Sequence, residues 1–167
     1  MRRGRATAGL LNIRVIRGRN LAMRDVRGSD PYVILSTRNK RVKSRVIKKD
    51  VNPEWNEDLS LYVQDTTDPV RLEVFDKDTF SQDDPMGRAD VDIGPLIEAT
   101  VAARRGGVDP SGVIRVVTPE SNSALVSESK IRLCNGKVIQ DMILRLRDVE
   151  CGEVELQLEW IDTGRAW

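Results

Sequence analysis

Five aspartates, set in two short stretches, are the residues of this chain best suited to chemistry. Asp25 and Asp30 stand early, and roughly fifty residues later come Asp76, Asp78 and Asp84 in the pattern Asp-x-Asp-x5-Asp. Both stretches adjoin strand-like runs: Asp30-Pro31 precedes the apolar Tyr32-Val33-Ile34-Leu35, and Asp76 follows the alternating segment from Val70 to Phe75. If those strand ends meet at one pole, the carboxylates repel one another by on the order of several kcal/mol unless cations or protons neutralise them. A hard divalent ion resolves the conflict. Calcium accepts roughly six to eight oxygen ligands in flexible geometry, mixing carboxylates and backbone carbonyls, whereas magnesium demands a tighter octahedron and keeps more of its water. Aspartate also serves turns by bonding its own backbone, and for Asp25 or Asp83 taken singly that is the better reading. The joint pattern, flanked by Ser29-Asp30-Pro31-Tyr32 and Asp84-Pro85-Met86-Gly87, argues for calcium.

The elements that must position these side chains are short strands. Alternation with period two recurs at Leu11, Ile13, Val15; Leu59, Leu61, Val63; Val70, Leu72, Val74; Ala89, Val91, Ile93; Met142, Leu144, Leu146; and Val154, Leu156, Leu158, Trp160. In the last run Glu153, Glu155, Gln157 and Glu159 fill the alternate positions, as a strand with one wet face requires. Turn signals such as Arg27-Gly28-Ser29-Asp30-Pro31, Asn52-Pro53 and Asp84-Pro85 separate the runs, which predicts an all-β antiparallel sandwich. Between about 94 and 138 the rhythm changes. Leu96 to Arg105 predicts a short helix stopping at Gly106-Gly107, Val113 to Thr118 and Lys130 to Leu133 predict two short strands, and Asn135-Gly136 predicts a type I′ hairpin turn. The expected organisation is a basic arm over 1–8, one domain over 9–162 with an α/β insertion over 94–138, and a tail over 163–167.

Composition excludes several chemistries. The 167 residues contain no histidine, so imidazole-based triads and the common zinc sites are ruled out, and Cys134 and Cys151 lack metal-ligand spacing. There is no G-x-x-x-x-G-K-Ser/Thr loop and no G-x-S-x-G motif, so an enzyme is the least favoured reading. At 4% aromatic residues the chain lacks the stacking side chains of a nucleic-acid binder, and none is expected as partner. Free thiols and an N-terminus without an unbroken apolar run place the chain in the reducing cell interior: the cytoplasm and the cytosolic face of the plasma membrane, with the nucleus as a further compartment. A net charge of +1 conceals segregation, because Lys40, Arg41, Lys43, Arg45, Lys48 and Lys49 crowd one stretch and the aspartates others.

Asn20-Leu21, Ser29-Asp30-Pro31-Tyr32, Asn52-Pro53-Glu54-Trp55-Asn56-Glu57, Val74-Phe75-Asp76-Lys77-Asp78 and Asp84-Pro85-Met86-Gly87 together resemble the signature series of C2 domains, calcium- and phospholipid-binding sandwiches of eight strands. The resemblance covers about the first half of the chain and implies a type II strand topology. It also implies calcium ligation by the side chains of Asp25, Asp30, Asp76, Asp78 and Asp84, with backbone carbonyls from Arg24 and Lys77. The insertion before the seventh strand, with Glu128-Ser129-Lys130-Ile131, Asn135-Gly136-Lys137-Val138 and Leu146-Arg147-Asp148-Val149-Glu150-Cys151-Gly152, is similar to that of plant C2-domain abscisic acid-related proteins. That narrower likeness implies calcium-dependent binding to anionic plasma membrane, recruitment of abscisic acid receptors and, for some members, activation of small GTPases.

Strand alternation across Arg41-Val42-Lys43-Ser44-Arg45-Val46 puts Arg41, Lys43 and Arg45 on one face. Near an anionic leaflet each contributes about 1 kcal/mol, and the resemblance makes this strand, with Tyr32 beside it, an inositol-lipid groove. Phe80, at the tip of the loop from Asp78 to Asp84, has no evident core partner and suits entry into a membrane interface or burial beneath the loop. Trp55 and Trp160 read as packed anchors. The functional expectation is calcium-dependent attachment to anionic phospholipid; the alternative is a protein-interaction scaffold whose calcium site is structural.

Overall fold

The computed structural model describes residues 8–24, 26, 28–106 and 112–163. Alternating runs form two antiparallel sheets. Strands β1 (Gly9–Arg19), β4 (Glu54–Val63), β7 (Val113–Val117), β8 (Ser129–Cys134), β9 (Lys137–Arg145) and β10 (Glu153–Asp162) make one, in the order β4-β1-β10-β9-β8-β7. The other has the order β3-β2-β5-β6, from β2 (Pro31–Ser36), β3 (Arg41–Lys43), β5 (Val70–Asp76) and β6 (Asp84–Val91). This is the all-β sandwich that the alternation predicted.

Side-chain period explains the layering. On β10, Val154, Leu156, Leu158 and Trp160 are buried and the intervening Glu153, Glu155, Gln157 and Glu159 are only half-buried, so one face packs and the other meets water. Ile13 and Val15 of β1 stand opposite Leu158 and Leu156, a cross-strand pairing that pins the register. Strand β2, held between β3 and β5, is buried from Pro31 through Leu35, in keeping with its continuous apolar run. Trp55 fills the core and its Nε1 donates to the Pro31 carbonyl at 3.2 Å, tying the two sheets together beside the first residue of β2. Each such fully buried large side chain contributes about 1.5–3 kcal/mol.

The segment between β6 and β9 supplies helix α1 (Gly94–Arg104), which begins two residues ahead of the predicted start, with Pro95 in its first turn, where a missing N–H costs nothing. Leu96 and Ala99 are buried, and Gly106 takes a φ of 84° just past the helix end. Strands β7 and β8 extend the sheet beyond β9. Asn135 and Gly136 both have positive φ (50° and 78°), as a type I′ turn demands, and Cys134 pairs with Lys137 across it. Of the proposed arm and tail, all but Ala8 and Thr163 lie outside the described residues.

One feature of this topology positions the chemistry. Pro31 of β2 is paired with Asp76 of β5, and Asp76 with Asp84 of β6. The loop leading into β2 and the loop from β5 to β6 therefore emerge at the same pole.

Candidate functional site

Backbone pairing brings Asp30, Asp76 and Asp84 to this pole, and the side chains there are ordered by N–H donors. Asp76, 5% exposed, accepts the Asp30 backbone N–H on Oδ1 at 2.8 Å. Asp30 in turn accepts the Lys49 N–H on Oδ1 at 2.8 Å, and its carbonyl accepts the Lys77 N–H at 3.0 Å. Asp78 bends back on its own loop, with Oδ1 accepting the Phe80 N–H at 2.9 Å and Oδ2 the Ser81 hydroxyl at 2.8 Å. Those bonds hold its carboxyl below the ordinary carboxylate range. Asp84 is exposed at the start of β6. Ser29, fully buried, locks the preceding loop by donating to the Ala22 carbonyl at 2.8 Å and accepting the Arg24 N–H at 3.0 Å. The Arg24 guanidinium reaches Glu150 at 2.9 Å and the Pro85 carbonyl at 3.3 Å, which crosslinks this loop to β6 and to the β9–β10 connection. Asp25 lies outside the described residues.

Hard oxygen donors on adjacent strand ends fit a divalent cation of the calcium type in chemistry and in backbone placement. Among the described residues, no three acidic side chains converge tightly enough to grip an ion as they stand. Asp78 explains part of this, since both of its oxygens serve its own loop.

Asp83 plays a part that sequence reasoning assigned only to turn capping. Its Oδ1 accepts the Asp78 N–H at 2.9 Å and lies 3.8 Å from Lys77 Nζ, while Oδ2 accepts the Tyr32 hydroxyl. Asp83 is held below the ordinary carboxylate range, first by the Asp78 N–H and then by Tyr32. Tyr32 itself is 9% exposed, stacks on Phe75 with ring centroids 5.9 Å apart, and has its phenol pushed up to about 12, by burial first and by Asp83 second. It links β2 to the loop from β5 to β6 and presents little surface to a lipid groove.

Apolar side chains stand out at the same pole. Phe80 is 97% exposed, Val26 is 102% and Met23 is 62%. Phe80 is singled out in the sequence by its place in the loop; Val26 and Met23 are not, although their position between β1 and Asp30 is a usable signal. The basic stretch is only partly a stripe. Arg41 and Lys43 are exposed on β3, but the strand ends at Lys43. Arg45 lies beyond it, with its N–H on Glu57 at 2.8 Å and its guanidinium on the Trp55 carbonyl at 2.6 Å. Lys48 and Lys49 are exposed in the following turn, beside Asp30.

A two-sheet antiparallel sandwich that gathers aspartate-rich loops and bare apolar side chains at one pole defines a class of peripheral recognition domain. The chain belongs to the C2 domain family, among the plant C2-domain ABA-related proteins. The C2 domain model matches residues 9–105. "GTPase activating protein 1" of Oryza sativa subsp. indica is 54% identical over 154 residues, 92% of each chain. "Protein C2-DOMAIN ABA-RELATED 4" of Arabidopsis thaliana is 51% identical over 92% of this chain and 86% of its own. Among solved structures, the calcium-bound pair of C2 domains of Extended-Synaptotagmin 2 aligns with a TM-score of 0.62 at 25% identity, over 95% of this chain and 48% of that one. A C2 domain of plant Extended Synaptotagmin 1 shares the fold, with a TM-score of 0.64 at 20% identity over 98% of this chain and 100% of that one. No helix among the described residues is long and apolar enough to cross a membrane.

Proposed function

We propose that this chain attaches peripherally to anionic phospholipid membranes in response to calcium and brings a signalling protein with it. The observation that carries the reading is the pole itself: Phe80 and Val26 stand almost wholly bare beside strand ends bearing Asp30, Asp76 and Asp84. Exposed apolar groups on an acidic rim would be repelled from an anionic leaflet together with that rim. Asp25, Asp30, Asp76, Asp78 and Asp84, with the carbonyls of Arg24 and Lys77, would hold calcium, which when bound would offset the negative charge of these carboxylates. Phe80 and Val26 then enter the interfacial layer, while Arg41, Lys43, Lys48 and Lys49 attract headgroups from the flank. The rice relative has GTPase activation in its name and the Arabidopsis relatives an abscisic acid relation, so the protein carried to the membrane is a GTPase or an abscisic acid receptor.

Cosedimentation with phosphatidylserine vesicles, with calcium or with chelator, tests the reading on wild type and on Asp76→Asn/Asp78→Asn. Binding that needs calcium and is lost in the double variant supports it. Binding indifferent to calcium defeats it and leaves a protein-interaction scaffold, a reading favoured by the loop-bound state of Asp78.

A further inference from the structure

The loop from β5 to β6 carries a hydroxyl that the proposed attachment leaves unused. Ser81 follows Phe80 at the tip, and both side chains are exposed. Residues 77–83 belong to no helix or strand, and Asp84 opens β6 at the edge of the four-stranded sheet. An enzyme that acts on a short segment of chain can therefore reach Ser81 without taking the sandwich apart.

The residues that follow single this hydroxyl out. Of all the serines and threonines in the chain, only Ser81 has an acidic residue three places on, in Ser81-Gln82-Asp83-Asp84. The fold gives the two carboxylates different roles. Asp83 is committed to the loop through Tyr32, the Asp78 N–H and Lys77, whereas Asp84 is exposed. Kinases that select acidic substrates read a carboxylate at this third place with basic side chains, whose charge-assisted bonds to carboxylates are strong and directional.

We propose that Ser81 is a phosphorylation site for an acidophilic protein kinase and that its phosphate releases the chain from anionic membrane. The release rests on the membrane reading above; the modification itself does not. In the transfer, Ser81 Oγ forms a bond to the γ-phosphorus of ATP held by the kinase, the bond from that phosphorus to the β–γ bridging oxygen breaks, ADP leaves, and the hydroxyl proton passes to the kinase's catalytic base.

Ser81 touches the carboxylate that shapes the tip. Its hydroxyl donates to Asp78 Oδ2 at 2.8 Å, while Asp78 Oδ1 accepts the Phe80 N–H at 2.9 Å. Phosphorylation removes that donor and sets about two negative charges against Asp78. Residues 76–84 already hold four carboxylates against Lys77 alone, and Lys77 faces Asp83 at 3.8 Å. Phe80, 97% exposed, is the adjoining residue and the one proposed to enter the interfacial layer. A dianion beside it keeps its water and holds the ring out, and it is repelled by an anionic leaflet. Each added charge changes partitioning by roughly fivefold at such a surface, so the phosphate should weaken attachment at least tenfold.

The test first incubates the full chain with casein kinase II and magnesium ATP, in the absence of calcium and vesicles. Phosphate located on Ser81 by tandem mass spectrometry, absent from Ser81→Ala and incorporated at least tenfold more slowly in Asp84→Asn, is the expected result. Both side chains are exposed, and peptide mapping of the wild type alone locates the phosphate if either variant folds poorly. No incorporation, incorporation that persists in Ser81→Ala, or an unchanged rate in Asp84→Asn would overturn the site. The phosphorylated and unmodified chains are then cosedimented with phosphatidylserine vesicles at saturating calcium, where the phosphorylated chain should partition at least tenfold more weakly. Equal or tighter partitioning, as when the phosphate serves calcium as a further oxygen ligand, would overturn the release. An unmodified chain that ignores these vesicles defeats the membrane reading and the release with it, while the Ser81 site stands or falls on the kinase assay.

Discussion

Replacing Phe80 by alanine isolates the apolar contribution of the pole. The ring is 97% exposed, so its removal leaves no cavity, and folding stability should change by no more than about 0.5 kcal/mol. Complete transfer of a phenylalanine side chain out of water is worth about 1.5–3 kcal/mol. A loop tip that reaches only the headgroup boundary recovers about half of this, so Phe80→Ala should lose about 1.1 kcal/mol, a roughly sixfold fall in partitioning. Partitioning onto phosphatidylserine vesicles at saturating calcium measures the loss, with urea denaturation as the control for folding. Val26→Ala should add a smaller loss, since Val26 is equally bare but a smaller side chain. The reasoning is refuted if Phe80→Ala partitions like wild type, for then the pole does not enter the interface. It is refuted differently if stability drops by more than about 1 kcal/mol, since the ring would then be packed in solution.

Two further predictions concern the frame around the pole. Gly87→Ala should destabilise the fold by about 3 kcal/mol in urea denaturation, because φ is +105° and an added Cβ would stand 2.6 Å from Val149 Cγ1 and 2.8 Å from Leu146 Cβ. Absorbance titration of the phenols should show Tyr32 ionising near 12, a late phase that Tyr32→Phe abolishes. Because the folded state raises this pKa above its ordinary value of 10.0, the linked stability is complete below pH 10 and drains away as pH rises toward 12. A Tyr32 that ionises near 10 would mean that it is neither buried nor bonded to Asp83 in solution.

Much of this molecule was legible along the chain because it depends on near neighbours. Alternation at Val154, Leu156, Leu158 and Trp160 fixes which face of β10 packs, since a strand reverses its side chains at every residue. Asn135-Gly136 names its own turn, because both positions need positive φ. The aspartate pattern and its flanking prolines marked the strand ends where oxygen donors collect. Arg45 shows where local reasoning fails: alternation extended β3 through it, but the carbonyl of Trp55 and the carboxylate of Glu57, both on β4, draw it off the strand.

Only the tertiary structure decided the rest. Asp83 is a turn aspartate in the sequence, and it became the anchor of the loop because β2 places the Tyr32 hydroxyl against it from 51 residues away. Phe80 could have folded beneath its loop, and it stands free because Asp78 binds the N–H of Phe80 and the hydroxyl of Ser81, shaping the tip around itself. Side-chain period and turn chemistry are properties of adjacent residues and are written in their order. Which oxygens find donors, and which stay open, depends on how distant strands pair, and no local pattern carries that information.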